Sequence, residues 1–210
     1  MRPNVIDIDV ADASLTGILE DATGAGPWAA GDLDATGPTD GLAHQLSVDS
    51  GATNLSAITM TFIGTDADGK VQTEDLVLGN GAVVETTKYY ASVTNLSVDS
   101  TLGANTVDIG WVDEVASQTY PIDRMSPYQA NIFVDITGTL NFTVQELWEN
   151  VYDVDNPQQD ATWINITALA SKTADTASQA TLGASAIRII LNSYSSGAEL
   201  QMYTNQASSD

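Results

Sequence analysis

Ile58-Thr-Met-Thr-Phe-Ile-Gly-Thr-Asp-Ala-Asp-Gly-Lys-Val-Gln-Thr-Glu-Asp-Leu-Val-Leu78 decides the fold. Ile58, Met60 and Phe62 alternate with Thr59, Thr61 and Ile63, the period-two pattern of a strand with one buried face. Gly64 to Lys70 then gathers Asp and Gly, and a second β-rich run covers Val71 to Leu78. Two such runs joined by an Asp-Gly loop predict a hairpin.

The same grammar extends in both directions. Ile6, Ile8 and Val10 share one face of an N-terminal strand, with Asp7 and Asp9 on the other. A weak strand covers Ser14 to Leu19. Residues 22–41, rich in Gly, Pro and Asp, read as a long loop anchored by Trp28. Leu42, His44, Leu46 and Val48 lie in phase on the next strand. Gly79-Asn80-Gly81 is a tight turn, and Val83 to Val93 reads as one strand bearing Tyr89 and Tyr90. Further strands cover Leu96 to Ser100 and Val107 to Trp111.

Val115 to Met125 breaks the pattern and contains Pro121, which predicts a boundary. Beyond it Ile132, Val134 and Ile136 alternate, then Leu140, Phe142 and Val144. Trp163, Ile164 and Ile166, then Ile187, Ile189 and Leu191, then Leu200 to Thr204 complete the series. Ala168 to Ala184 is Ala/Ser/Thr-rich and reads as a loop or a short helix. Many short strands with turn signals predict an all-β chain of two antiparallel β-sandwich (jelly-roll/Ig-like) domains. Their expected limits are residues 1–117 and 125–210, with residues 118–124 as linker. The echo of Leu46-Ser-Val-Asp-Ser50 in Leu96-Ser-Val-Asp-Ser100 is too short for a repeat.

Composition narrows the partners. The 210 residues carry 28 acids against 6 Lys and Arg, a net charge of −22. Such a surface makes duplex DNA and anionic membranes poor partners and reads first as a solubilising one, with docking on a basic partner or collection of divalent cations as the sharper reading. No apolar run reaches the roughly 18 residues of a membrane helix. The first residues do not have the basic-then-apolar layout of a signal peptide. The chain has no cysteine, which excludes disulfides and thiolate metal sites.

Candidate chemistry is sparse. Asp66-x-Asp68-Gly69 looks like the start of a calcium loop, but the twelfth position is Val77, where an EF-hand has Glu. A hairpin turn is the stronger reading, with a weak cation site as the sharper one. Asp153-Val-Asp155-Asn156-Pro157 reads as a solvated turn. His44 is the chain's single histidine and, in phase with Leu42, Leu46 and Val48, reads as packed. Trp28, Trp111, Trp148 and Trp163 read as core or interface residues. The Asn-x-Ser/Thr sequences at Asn54, Asn95, Asn141 and Asn165 follow from composition. No catalytic, cofactor-binding or metal residue is assigned.

These residues carry a resemblance. Asp40-Gly-Leu-Ala-His44, Gly64-Thr-Asp-Ala-Asp-Gly69, Thr87-Lys-Tyr-Tyr90 and Val107-Asp-Ile-Gly-Trp111 resemble segments of uncharacterised structural proteins of tailed bacteriophages. So do Thr137-Gly-Thr-Leu-Asn-Phe-Thr-Val144, Ala161-Thr-Trp163 and Ala186-Ile-Arg-Ile-Ile190 in the second half. The likeness spans about residues 5 to 206; Tyr90 stands where that family frequently has Phe, and residues 173–183 are richer in Ala, Ser and Thr. It implies a non-enzymatic virion protein, a capsid decoration (cement) protein on the head exterior, assembled in the host cytoplasm. Its partners would be the major capsid protein or other virion proteins and further copies of itself, a trimer for instance. No nucleic-acid or membrane partner and no cofactor is expected. The alternatives are a neck, tail or baseplate protein, or a carbohydrate-binding host-attachment module using Tyr89, Tyr90 and Tyr128.

Overall fold

A computed structural model describes residues 4–123 and 129–206. The structure is almost entirely β, and its strands pair antiparallel. The strands are β1 (Asn4–Asp9), β2 (Ser14–Ala22), β3 (Trp28–Ala29), β4 (Ala43–Asp49), β5 (Thr59–Thr65), β6 (Val71–Val77), β7 (Val83–Tyr90) and β8 (Ser92–Val98). They continue as β9 (Val107–Ala116), β10 (Tyr120–Pro121), β11 (Asn131–Thr137), β12 (Leu140–Leu147), β13 (Trp163–Asn165), β14 (Thr176–Gln179), β15 (Ala186–Tyr194) and β16 (Glu199–Asn205). A single turn of helix, α1 (Pro157–Asp160), begins at Pro157.

The chain forms two compact units. Ala13–Val115 is one; residues up to Asp12 join those from Ala116 onward in the other. The expected division at residue 117 therefore needs correcting at its start, because β1 does not belong with the strands that follow it. It pairs with β16 from Asn4↔Thr204 to Asp9↔Glu199. The expected linker also differs. Ser117 exchanges hydrogen bonds with Ile189, Ile122 N–H donates to the Ser185 carbonyl, and β10 pairs with β15. Proline at a two-residue edge strand explains why residues 118–123 look like a linker in sequence. Arg124 and Met125 lie outside the described residues.

In the unit Ala13–Val115, one sheet runs β3-β8-β5-β6 and the other β9-β4-β7, with β2 pairing β9. Met60, Phe62 and Leu96 from the first sheet and Leu46, Val48, Tyr90 and Ile109 from the second form one buried core. That is a sandwich, and the alternation along β5 builds it: Met60, Phe62 and Gly64 are buried while the residues between them are half-buried. Gly64 is required by close approach, since a Cβ there would lie 1.9 Å from the Ser92 carbonyl oxygen. The expected single strand from Val83 to Val93 is two strands in different sheets. β7 pairs with β4, β8 pairs with β5, and the chain crosses at Ala91, whose N–H donates to the Thr65 carbonyl. The inward phase shifts with the crossing, from Tyr90 to Val93.

The edges of this unit are closed by side chains. Glu74 on β6 accepts the N–H groups of Thr87 (2.7 Å) and Lys88 (3.1 Å) on β7, while Lys88 Nζ donates to the Thr73 carbonyl at 2.8 Å. Gln72 Nε2 donates to the Tyr89 carbonyl. These bonds occupy backbone groups that an open edge would offer to another chain. The loop around Trp28 covers β8, through β3 and through the Val93 N–H bond to the Thr36 carbonyl.

In the other unit, one sheet runs β1-β16-β11-β14 and the second β13-β12-β15, with β10 on β15. Ile6, Met202 and Val134 lie in register and are buried, as are Phe142 with Leu191 and Val144 with Ile189. The segment read as loop or short helix contains β14, paired with β11.

Candidate interaction surface

The polar residues that sequence singled out are engaged in holding backbone. Asp66 is buried and its Oδ1 accepts the N–H groups of Asp68 (3.0 Å) and Lys70 (2.9 Å). Gly69, at φ +74°, completes the turn, a conformation glycine adopts without the strain a side chain brings. The Asp66-to-Lys70 motif is thus a capped hairpin. His44 is fully buried, with Nε2 2.8 Å from Asp40 Oδ2, Nδ1 3.3 Å from the Val112 carbonyl and its ring edge-on to Trp111. Asn150 Nδ2 donates to Asp153 Oδ2 at 2.7 Å, and Asn156 precedes α1, so that acidic stretch is a turn leading into a helix. Among the described residues, no group of three or more His, Cys, Asp or Glu side chains is placed to hold a metal ion.

The aromatic residues divide by exposure. Trp28 and Trp111 pack against the core of Ala13–Val115. Trp163 packs beside Leu147, donates to the Pro157 carbonyl and lies under Arg188, whose guanidinium carbon is 4.5 Å from the ring. Trp148 is half exposed and held from below: its Nε1 donates at 3.1 Å to Glu146. Glu146 itself is buried and accepts from the Thr181 N–H and hydroxyl at 2.7 and 2.6 Å. Nothing in sequence separates this acid from its exposed neighbours.

Tyr90, one of the tyrosines considered for sugar stacking, is fully buried, and this overturns that role for it. Its hydroxyl has no hydrogen-bond partner. Burial, with Glu74 and Asp75 adding to it, pushes its pKa far above the ordinary 10.0. Tyr89 is half-buried and donates its hydroxyl to Glu114 at 2.7 Å. Tyr128 lies outside the described residues.

The surface with the clearest potential for contact is the outer face of β1-β16-β11-β14. Its register places Val5, Tyr203, Phe133 and Ala177 in one row across all four strands. Val5 is 49% and Phe133 42% exposed, and the Phe133 and Tyr203 rings lie 5.9 Å apart at 35°. One row away on one side are the amides Gln179, Asn131 and Asn205, with Gln179 Nε2 donating to Asn131. On the other side come Asp7, Gln201 and Asp135, then Asp9, Glu199 and Thr137. These four strands contain no Lys or Arg. Asp9 and Glu199 are direct cross-strand partners, an unfavourable like-charge pair. The alternation of Ile132, Val134 and Ile136 already puts Phe133 on the opposite face, but only register assembles the row.

No protein-family model matches this chain, and a search of curated proteins finds no match. Among the described residues, no helix is long and apolar enough to cross a membrane.

Proposed function

We propose that this chain is a non-enzymatic structural protein of a tailed-bacteriophage virion, a decoration (cement) protein of the capsid exterior. The observation that carries the reading is the division of labour among its polar and apolar groups. Asp66, His44 and Glu146 hold turns, strands and an indole in place. The apolar row of exposed Val5 and Phe133 with half-buried Tyr203 instead lies on the outer face of a sheet. A molecule arranged this way acts by contact. A bound subunit stabilises the particle by mass action, through preferential binding to the assembled shell. The motif resemblance supplies the virion context, and the acidic surface suits a shell protein that must not bind packaged DNA.

Quantifying the chain in purified particles tests this. The expected ratio to the major capsid protein is about one to one or one to two, the order that shell decoration requires. A few copies per particle would assign the chain to the neck, tail or baseplate. Absence from particles would end the virion reading.

A further inference from the structure

We propose that the outer face of β1-β16-β11-β14 docks a partner protein whose surface presents Lys or Arg side chains around an apolar patch. This rests on the virion reading, and it names the docking face and the chemistry of its occupant.

Charge complementarity carries the argument. The face has one apolar row, Val5-Tyr203-Phe133-Ala177, and beside it the carboxylates of Asp7, Asp135, Asp9 and Glu199. The four strands supply no cation to balance them. Asp9 and Glu199 sit opposite each other, and Asp7 and Asp135 flank Gln201. Like charges set opposite each other on a sheet are unfavourable, and cationic side chains arriving there would offset them. An arginine suits both parts of the face, since its guanidinium pairs with a carboxylate and stacks on an aromatic ring.

The other occupants fit less well. A second copy would bring the same carboxylates and another net charge of −22 against them. A flat sugar platform needs coplanar rings, whereas Phe133 and Tyr203 are tilted by 35°.

The size of the face adds a second point. Four strands about 4.8 Å apart, of four to seven residues, span at most roughly 14 by 20 Å, or about 300 Å². A standard interface takes about 800 Å² from each partner. One face is therefore a weak contact, and its strength comes from several copies held together, where each further contact becomes intramolecular.

The experiment uses particles stripped of the chain, with the full chain added back and bound protein measured by sedimentation. The variants are Phe133→Ser and the isosteric pair Asp135→Asn with Glu199→Gln. The wild type is expected to rebind. The carboxylate pair should weaken binding about fivefold and Phe133→Ser about tenfold or more. Wild-type affinity should fall as salt rises from about 0.01 to 0.15 M, with a flatter dependence in the carboxylate variant. Melting curves check that each variant folds; if Phe133→Ser does not, the isosteric pair decides the matter alone.

Equal rebinding by wild type and variants would overturn the face while leaving the virion reading intact. Sensitivity to Phe133→Ser without sensitivity to salt or to the carboxylate pair would replace the basic partner with an apolar or glycan one. Failure of the wild type to rebind would remove the virion reading and this proposal with it.

Discussion

β3-β8-β5-β6 and β1-β16-β11-β14 are both four-stranded antiparallel sheets with one face on a core and the other outward. Their outer faces solve the cross-strand problem differently. On the first, Thr61 is registered with Asp75 and donates to it at 2.6 Å. Thr65 is registered with Ser92, hydroxyl to hydroxyl at 2.7 Å. On the second, the registered pairs are Phe133 with Tyr203 and Asp9 with Glu199. Directly opposed side chains are the unit of sheet stabilisation. Both faces leave apolar side chains exposed, Val71 and Val77 on the first and Val5 and Phe133 on the second, but the first pairs hydroxyls with an acid or another hydroxyl, while the second sets the carboxylates of Asp9 and Glu199 opposite each other.

The sharpest way to break that contrast is to change the same residue type in both places. Phe62, inside the first sandwich, is fully buried, so Phe62→Ala should lower stability by about 3–5 kcal/mol in urea unfolding. Phe133→Ala, on the outward face, should cost about 1 kcal/mol or less in the same assay. Equal losses would mean that Phe133 is a core residue and that the second face is not an open one.

Gly64→Ala probes the tightest point of the first sheet. The new Cβ would meet the Ser92 carbonyl oxygen at 1.9 Å and the Tyr90 ring at 3.0 Å. A loss of about 3 kcal/mol is expected, at the upper end for overpacking. Thermal melting measures it, and a wild-type melting temperature would contradict the close packing of β5 on β8.

Tyr90→Phe should go the other way. The buried hydroxyl has no partner, and removing it should add about 1 kcal/mol. The pH dependence gives an independent check. The folded-state pKa lies above the ordinary 10.0. Below pH 10 both folded and unfolded states keep the proton and the group adds no pH dependence. Above it the unfolded chain ionises first, so stability falls by about 1.4 kcal/mol per pH unit. Tyr90→Phe should remove that component from the alkaline limb of the stability curve. An unchanged alkaline limb would show that the hydroxyl is open to solvent and ionises alike in the folded and unfolded chain.

The smallest effect concerns the second face itself. Glu199→Lys turns the like-charge pair with Asp9 into an opposite pair. The gain should be about 0.2–1 kcal/mol at low salt and vanish near 1 M, where the screening length is about 3 Å. A gain that survives high salt would mean that something other than charge sets the pair.

What was legible in the sequence follows from how local the cause is. The β5-β6 hairpin was readable because alternation and the Asp-Gly turn lie within one short stretch, and its register runs without a slip from Thr59↔Val77 to Thr65↔Val71. His44 was readable as packed because its apolar neighbours share its phase. The crossing at Ala91 was hidden because both flanking runs have strand composition. β14 was hidden because Thr176-Ala-Ser-Gln179 has no apolar alternation to betray it. The acidic-aromatic face was hidden for a deeper reason. Its members come from residues 5–9, 133–135, 177 and 199–203, and only the pairing of β1, β16, β11 and β14 unites them.

The pairing of β1 with β16 also orders events in time. Tyr194 donates its hydroxyl to the Ala11 carbonyl across 183 residues, and Ser196 reaches Asp12 across 184. During synthesis β1 emerges before any of its partners. By the time β16 is released, Ala13–Val115 has had its own strands available throughout, since that unit is contiguous in the chain. Closing so long a loop is slow, and contacts of this separation form late. β1 thus leaves the ribosome long before β16, and the sheet that buries Ile6 and Ile8 is completed late. Asp7 and Asp9, alternating with them, put on that strand the kind of charge that keeps an unpaired strand from pairing with another chain.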